Sequence, residues 1–509
     1  MVQNDIKNFI GKFCRVSDIS SNYKYLQELL AKEAAELLKP ADRMKIPPQE
    51  MPHQDAHQRR GNVQEVATGY DETQARIEAM RCLRCKNAPC VQGCPVGIHI
   101  KEFVTEVAKG DYDKALDIIK ENSLLPAVCG RVCPQEVQCQ MYCTVGKSLK
   151  DPLKSVAIGR LERFVADRAL GKGNMPHIAA ETGKKVAIIG SGPGGIVAAA
   201  DCRRAGHKVT VFEAFHRPGG VLLYGIPEFR LPKKLVAQEI KTLKDMGVEI
   251  ICNFVVGKTR TISQLMELDG YDAVYIGVGA GLPKFMEIKG EMLIGVYSAN
   301  EYLTRANLMK AYDFGKGADT PITRGENVAV IGGGNVAMDS ARTALRLGAK
   351  NVYLIYRRSE AEMPARVEEV HHAKEEGVQF MMLHNPIRFM GDEHDRLRQV
   401  ECLRYELGEP DESGRRRPVA IKGSELTLDI DVAVIAIGNL ANPLLRTTSP
   451  GLKFNKWGNI EIDEQCRTSL PGVFAGGDIA LGAATVILAM GHGRTAAAAI
   501  DEYLKNKKD

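Results

Sequence analysis

No stretch of this sequence approaches the roughly 18 uninterrupted apolar residues of a membrane-crossing helix, and the most apolar late run, 483–500, is broken by Gly491, His492, Gly493 and Arg494. The opening MVQNDIKNFI has an acid at Asp5 and no apolar centre, so it does not read as a secretory signal. Excess charge of one sign is lacking as well. The 68 Lys+Arg against 63 Asp+Glu leave +5 over 509 residues, too mild to argue for nucleic acid or an anionic membrane as partner. With 44% hydrophobic and 26% charged residues, wholesale disorder and a fibrous repeat are excluded. The single tryptophan, Trp457, reads as a turn or surface residue, and no nucleophile–base pair of the hydrolase kind is evident. The expectation is a cytoplasmic protein of about three domains.

What the chain has in plenty is cysteine, 13 residues, of which eight fall between Cys82 and Cys143. In a reducing compartment such clustering asks for a metal. The spacing is Cys82-x2-Cys85-x4-Cys90-x3-Cys94-Pro, then Cys129-x3-Cys133-Pro-x4-Cys139-x3-Cys143. Paired thiolates also make zinc sites, but tight runs ending in Cys-Pro resemble iron–sulfur runs in which some cysteines serve the other of two clusters. Cys14, Cys202, Cys252, Cys402 and Cys466 are scattered and read as spectators.

The texture along the chain divides it. Residues 1–70 form a polar leader with one helical pattern at Tyr23–Leu38, a possible docking helix for a partner subunit, followed by Pro40, Pro47, Pro48 and Pro52. Residues 71–182 read as a helical, cysteine-dense domain, with a linker at 169–182. After Gly183 short β-branched runs alternate with glycines and alanine-rich helices, the pattern of a doubly wound parallel sheet, and it occurs twice.

In the first copy a strand ending at Ile189 runs into Gly190-x-Gly192-Pro193-Gly194-Gly195 and a helix, and the next strand ends at Glu213. Glycines there allow backbone N–H groups to approach a pyrophosphate at a helix N-terminus, and a terminal acid accepts from ribose hydroxyls. In the second copy the glycines are Gly332 and Gly334, followed by Asn335 and Ala337. Tyr356, Arg357 and Arg358 stand where the first copy has its acid. Guanidinium groups there suit a 2′-phosphate, so this site is expected to take NADP(H). His371 and His372, within VEEVHHAKEEG, read as solvent-facing, and GRRRP at 414–418 as a hairpin loop.

Two further segments point to FAD at the first copy: Arg217-Pro218-Gly219-Gly220 just after Glu213, and GVFAGGD ending in Gly477-Asp478, with Ala484-Thr485 opening a helix. The latter resembles the C-terminal FAD motif of glutathione-reductase-like flavoproteins. The resemblance implies an FAD domain of 183–300 and 435–509 interrupted by an NADP(H) domain at 301–434. The strings CLRCKNAPCVQGCPVGIHI, CGRVCPQEVQC and AIGRLERFVAD are similar to the large subunit of NADH-dependent reduced ferredoxin:NADP oxidoreductase and to the glutamate synthase small subunit. That resemblance implies two [4Fe–4S] clusters. One is held by Cys82, Cys85, Cys90 and Cys143, the other by Cys94, Cys133 and Cys139 with Glu162. Counting cysteines alone makes Cys129 the eighth ligand instead. The implied fold is α/β, two Rossmann-like dinucleotide-binding domains preceded by an α-helical iron–sulfur domain.

The implied activity is an oxidoreductase subunit with no catalytic side chain of its own. FAD carries hydride transfer with NADP(H), and electrons pass through the clusters to a partner that uses NADH or ferredoxin, in a transhydrogenase that extends to electron bifurcation. The small subunit of NADPH-dependent glutamate synthase is the alternative, and a non-catalytic scaffold the reading of another class.

Overall fold

The structure is a computed structural model that describes residues 19–170, 177–313, 317–412 and 414–507. Cys14 and the glycine-rich part of the expected linker, 171–176, lie outside the described residues. The chain divides into two compact units: the first is formed by Met1–Pro52 with Thr68–Leu170, the second by His53–Ala67 with Gly171–Asp509.

The first unit is helical. Helix α1 is Ile19–Ala34, α2 is Glu72–Met80, α3 is Ile100–Lys109, α4 is Tyr112–Asn122, α5 is Pro126–Val132 and α6 is Ile158–Arg168. Asp71 and Gln74 start α2 with a capping box, and Gly110, at φ 90°, stops α3. The expected docking helix ends four residues early. Its Leu26 and Leu29 are buried, and α1 packs on α2 inside the same unit, so that face fills the unit's own core. Phe103, Val104, Val107, Leu161 and Val165 complete that core.

The second unit holds two five-stranded parallel sheets. The strands are β1 Lys185–Ile189, β2 Lys208–Phe212, β3 Glu249–Ile251, β4 Ala273–Ile276, β5 Leu282–Pro283, β6 Val296–Ser298, β7 Asn327–Ile331, β8 Asn351–Tyr356, β9 Gln379–Met382, β10 His384–Gly391, β11 Leu397–Pro410, β12 Arg416–Ala420, β13 Leu426–Asp429, β14 Val432–Ile435, β15 Asn439–Leu440 and β16 Val473–Ala475. The first sheet runs β16-β4-β1-β2-β3 and the second β6-β14-β7-β8-β9, each with its order reversing beside the strand that precedes the glycine loop. In an open parallel sheet that reversal opens a crevice at the strand ends, where ligands bind. Helix α7, Pro193–Arg204, follows β1; α8, Asn335–Arg346, follows β7; α9 is Val367–Glu375; and α10, Val486–Asn506, packs on α7.

The second sheet begins at Val296, ahead of the expected boundary at 301, because β6 pairs in parallel with β14. The two crossings between sheets lie side by side as the antiparallel pair β5–β15. Strands β10 to β13 form a separate antiparallel sheet that emerges from the second half.

Candidate functional site

In the helical unit the cysteines fall into two neighbouring sets. Cys82, Cys85, Cys90 and Cys143 line one cavity together with Leu83, Pro89 and Ile158. Burial and then the neighbouring sulfurs push the Cys82 thiol up to about 11 and the Cys90 thiol up to about 12. The second set gathers Cys94, Cys133 and Cys139 around Glu162. Burial raises Cys94 and Cys139, and the Glu162 charge adds to both. Cys90 also acts on Cys139, so the two sets adjoin.

Local sequence explains the gathering. A Cβ on Gly130 would lie 2.6 Å from the backbone nitrogen of Arg163, so only glycine lets α5 approach α6 closely enough to bring Cys129 and Cys133 beside Glu162. A Cβ on Gly93 would lie 2.9 Å from the carbonyl of Gln138, which sets the Cys90–Cys94 turn against the loop carrying Cys139.

Glu162 is buried on α6, its Oε1 has no hydrogen-bond partner, and burial pushes its carboxyl up to about 8. A lone carboxyl oxygen among thiols is costly unless something binds it, so this donor set fits a metal cluster. Cys129 is buried in the same set, where its hydrogen bond, ahead of burial, raises the Cys133 thiol. The structure therefore brings both candidates for the eighth ligand to one place.

The first glycine loop lies at the reversal point of its sheet. Gly190 has φ 97°, and a Cβ there would sit 2.5 Å from the carbonyl of Gly277 at the end of β4. A Cβ on Gly195 would come within 1.9 Å of the Gly190 carbonyl, whereas one on Gly192 would meet nothing within 4 Å. The first two contacts are packing requirements. The open side of Gly192 is the cradle a pyrophosphate needs. Glu213 is buried and braces this loop: its carboxylate accepts from the backbone N of Ser191 at 3.1 Å, the Ser191 hydroxyl, and the backbone N of Phe215 at 2.8 Å.

Gly219 donates its N–H to Ser191 Oγ at 2.8 Å, and Gly220 lies so close that a Cβ would be 2.6 Å from Gly192 Cα. From the far end of the chain, Gly477 takes φ 72° and Asp478 accepts from Ala484 N at 3.2 Å, its carboxyl pushed up to about 6 by burial. Thr485 caps α10. A Cβ on Gly493 would lie 2.3 Å from the Gly194 carbonyl, so α7 and α10 cross almost backbone to backbone. Three segments separated by nearly 300 residues thus meet around one crevice.

The second loop repeats the design. A Cβ on Gly332 would be 2.4 Å from the Ala436 carbonyl at the end of β14, the counterpart of Gly190 against Gly277. Gly334 precedes α8, Ala337 is fully buried in it, and Asn335 accepts from Arg366 N at 2.9 Å. The two expected phosphate arginines part company. Arg357 is exposed, whereas Arg358 is buried, pairing with Asp411 at 2.8 Å and donating to the Arg416 carbonyl at 2.8 Å.

The histidine reading needs correction. His371 is exposed but His372 is buried, and burial followed by the Arg342 charge lowers it to about 4. The reason is a buried ionic network that the charge run on α9 concealed. Arg342 bonds Glu369 and Glu376, Arg346 bonds Glu376, Arg230 bonds Asp339, and Arg59 from the leader bonds Glu375 and Glu376. Phe229 lies under the guanidinium groups of Arg342 and Arg346, at 4.7 and 3.9 Å.

Residues 184–502 match the family described as pyridine nucleotide-disulphide oxidoreductase, and residues 59–174 match dihydropyrimidine dehydrogenase domain II, 4Fe-4S cluster. The chain belongs to the pyridine nucleotide-disulphide oxidoreductase family. It is an oxidoreductase of the flavin, NADP and 4Fe-4S electron-transfer kind, with its iron–sulfur domain ahead of the nucleotide-binding body.

Among its relatives, the beta subunit of NADP(+)-dependent formate dehydrogenase from Moorella thermoacetica is 41% identical over 82% of this chain, which spans 60% of that protein's length. The small chain of NADPH glutamate synthase from Halomonas elongata is 38% identical over 86% of this chain and 93% of its own. FprA of Mycobacterium tuberculosis, solved in complex with NADPH, shares the fold at a TM-score of 0.53 and 22% identity, over 64% of this chain and 85% of that one. No helix among the described residues is long and apolar enough to cross a membrane.

Proposed function

We propose that this family member is the NADP(H)-handling subunit of a larger electron-transfer enzyme, with FAD at the Gly190–Gly195 loop, NADP(H) at the Gly332–Ala337 loop and two [4Fe–4S] clusters in the helical unit. The carrying observation is the pair of adjoining donor sets, Cys82, Cys85, Cys90 and Cys143 beside Cys94, Cys133, Cys139 and Glu162, in a chain that also bears two glycine loops at sheet reversals. Flavins accept electron pairs from nicotinamide and release single electrons, which iron–sulfur clusters carry.

The chain's own part is position and electrostatics. Glu213 and Ser191 hold the first loop in shape, Gly192 leaves room for a pyrophosphate, and Arg357 offers charge to a 2′-phosphate. Glu162 completes the second cluster, since an unpartnered carboxyl oxygen buried among thiols is stabilised by binding iron. The cluster domain is 71–182, the FAD domain 183–300 with 435–509, and the NADP(H) domain 301–434, its sheet beginning at Val296.

The CPVGIHI and CPQEVQC strings support a ferredoxin- and NADH-linked transhydrogenase, with bifurcation at the flavin as its fullest form. A second reading, the small subunit of NADPH-dependent glutamate synthase, is favoured by the nearly end-to-end match to the Halomonas elongata chain. Anaerobic purification of the tagged chain from its own cells separates them. The first reading expects a co-purifying flavin or iron–sulfur subunit that uses NADH or ferredoxin, and the second a large glutamate-forming chain. In either case NADPH bleaches the flavin band of the purified protein. An unbleached flavin overturns both and leaves a non-catalytic scaffold.

A further inference from the structure

Within the second unit, the leader segment His53–Ala67 and helix α9 bring together a group that no dinucleotide or cluster role uses. One ligand atom each of His53, His372 and Glu375 lies within 4.8 Å of the other two. His372 and Glu375 stand three positions apart on α9, where helical spacing brings them to one face, and His53 joins them from a segment more than 300 positions away.

The chemistry of the donors is specific. His372 is only 6% exposed, and its Nδ1 is buried with no hydrogen-bond partner. A buried imidazole nitrogen without a partner is a cost that a ligand removes. His53 is exposed and places Nδ1 3.1 Å from the Gln54 carbonyl. A metal bound at Nε2 takes this ring in the tautomer with its proton on Nδ1, donated to the Gln54 carbonyl in place of the contact that Arg59 Nη1 makes with the same nitrogen. Glu375 gives Oε2 to Arg59 at 2.6 Å and keeps Oε1, which stands 3.6 Å from His371 Nδ1.

The neighbouring cation is Arg59, whose Nη1 lies 3.2 Å from His53 Nδ1. Its charge is already met by Glu376 at 2.8 Å as well as by Glu375. The local charge therefore leaves one carboxylate oxygen and two imidazoles for a further ion. Two imidazole nitrogens and one carboxylate oxygen, with one side open to water, form a three-ligand set of the kind zinc takes, and a poor one for calcium or magnesium, which call for oxygen ligands.

We propose that His53, His372 and Glu375 bind one divalent transition metal of the zinc class, which joins the leader segment to helix α9 independently of the iron–sulfur clusters. Bound there, the ion stabilises the docked state of residues 53–67 against the nucleotide-binding body, because it binds only when both segments are in place.

The test uses holoprotein with flavin and clusters intact, freed of loosely held metal by chelator and titrated anaerobically with Zn2+ alone. One zinc per chain is expected, with imidazole scattering at the zinc absorption edge and ligand distances of about 2.0–2.1 Å. His53→Ala, at an exposed position, and Glu375→Gln are each expected to weaken zinc binding by more than about tenfold. Their flavin and cluster absorption stays unchanged. Absence of saturable zinc uptake at micromolar concentration, or equal uptake by both variants and the parent, overturns the proposal.

Discussion

Successive side chains at the end of a strand point to opposite faces, so Arg357 and Arg358, which follow β8 directly, meet different surroundings. The structure gives them separate tasks: Arg358 is buried against Asp411 and the Arg416 carbonyl, and ties β8 to the antiparallel sheet, while Arg357 faces solvent. Arg357→Glu is therefore expected to lower the ratio of kcat/KM for NADPH over NADH by roughly tenfold or more, the loss of one charge-assisted hydrogen bond at about 1.5–3 kcal/mol. Arg358→Ala leaves that ratio in place and lowers the melting temperature, because the buried pair of Arg358 with the partly buried Asp411 is lost. Steady-state kinetics with both nucleotides, alongside thermal melts, decide the matter. A ratio moved by Arg358→Ala and not by Arg357→Glu contradicts the assignment. The doublet itself was legible in the sequence, but its division of labour was not, since Asp411 lies 53 positions away.

At the scale of elements, the glycine loops were legible because strand, turn and helix are contiguous and each glycine answers a local steric demand. What the fingerprint does not tell apart is which glycine serves packing and which serves a ligand. Gly195 has the Gly190 carbonyl against it, so Gly195→Ala forces the loop and α7 apart and costs on the order of 1–3 kcal/mol or more before any cofactor is considered. Gly192 has open space on its side. Gly192→Ala is accordingly expected to give a chain whose flavin-free form melts with the parent but which binds FAD much more weakly, read by flavin content after gel filtration. Equal flavin content in Gly192→Ala and parent would show that the loop holds no pyrophosphate there. The same reasoning explains why Gly93 and Gly130 escaped notice: their close contacts are with Gln138 and Arg163, distant in sequence, and only the folded helices supply them.

At the scale of the whole chain, the least legible feature is the ionic network that reaches from the leader into the nucleotide-binding body. VEEVHHAKEEG reads as a solvated face because nothing local reveals that Glu369 and Glu376 meet Arg230, Arg342, Arg346 and Arg59. Arg59 and Glu376 are both fully buried and 317 positions apart. Burial alone would raise these carboxyls, but the arginines outweigh it: Glu369 is held at about 2 and Glu376 lower still. Folded pKa values depressed below the unfolded glutamate value of about 4.3 mean stability that is present above that pH and lost as pH falls toward 2. Arg59→Ala leaves Glu376 with two arginines in place of three and removes a buried pair, a loss of about 3 kcal/mol. The expected outcome is a lower melting temperature for the second unit at neutral pH and an acid transition moved upward in pH, with flavin and cluster spectra intact before unfolding. Thermal melts from pH 7 to pH 3 test it, because a variant that follows the parent across that range would mean the leader segment contributes nothing to holding the nucleotide-binding body together.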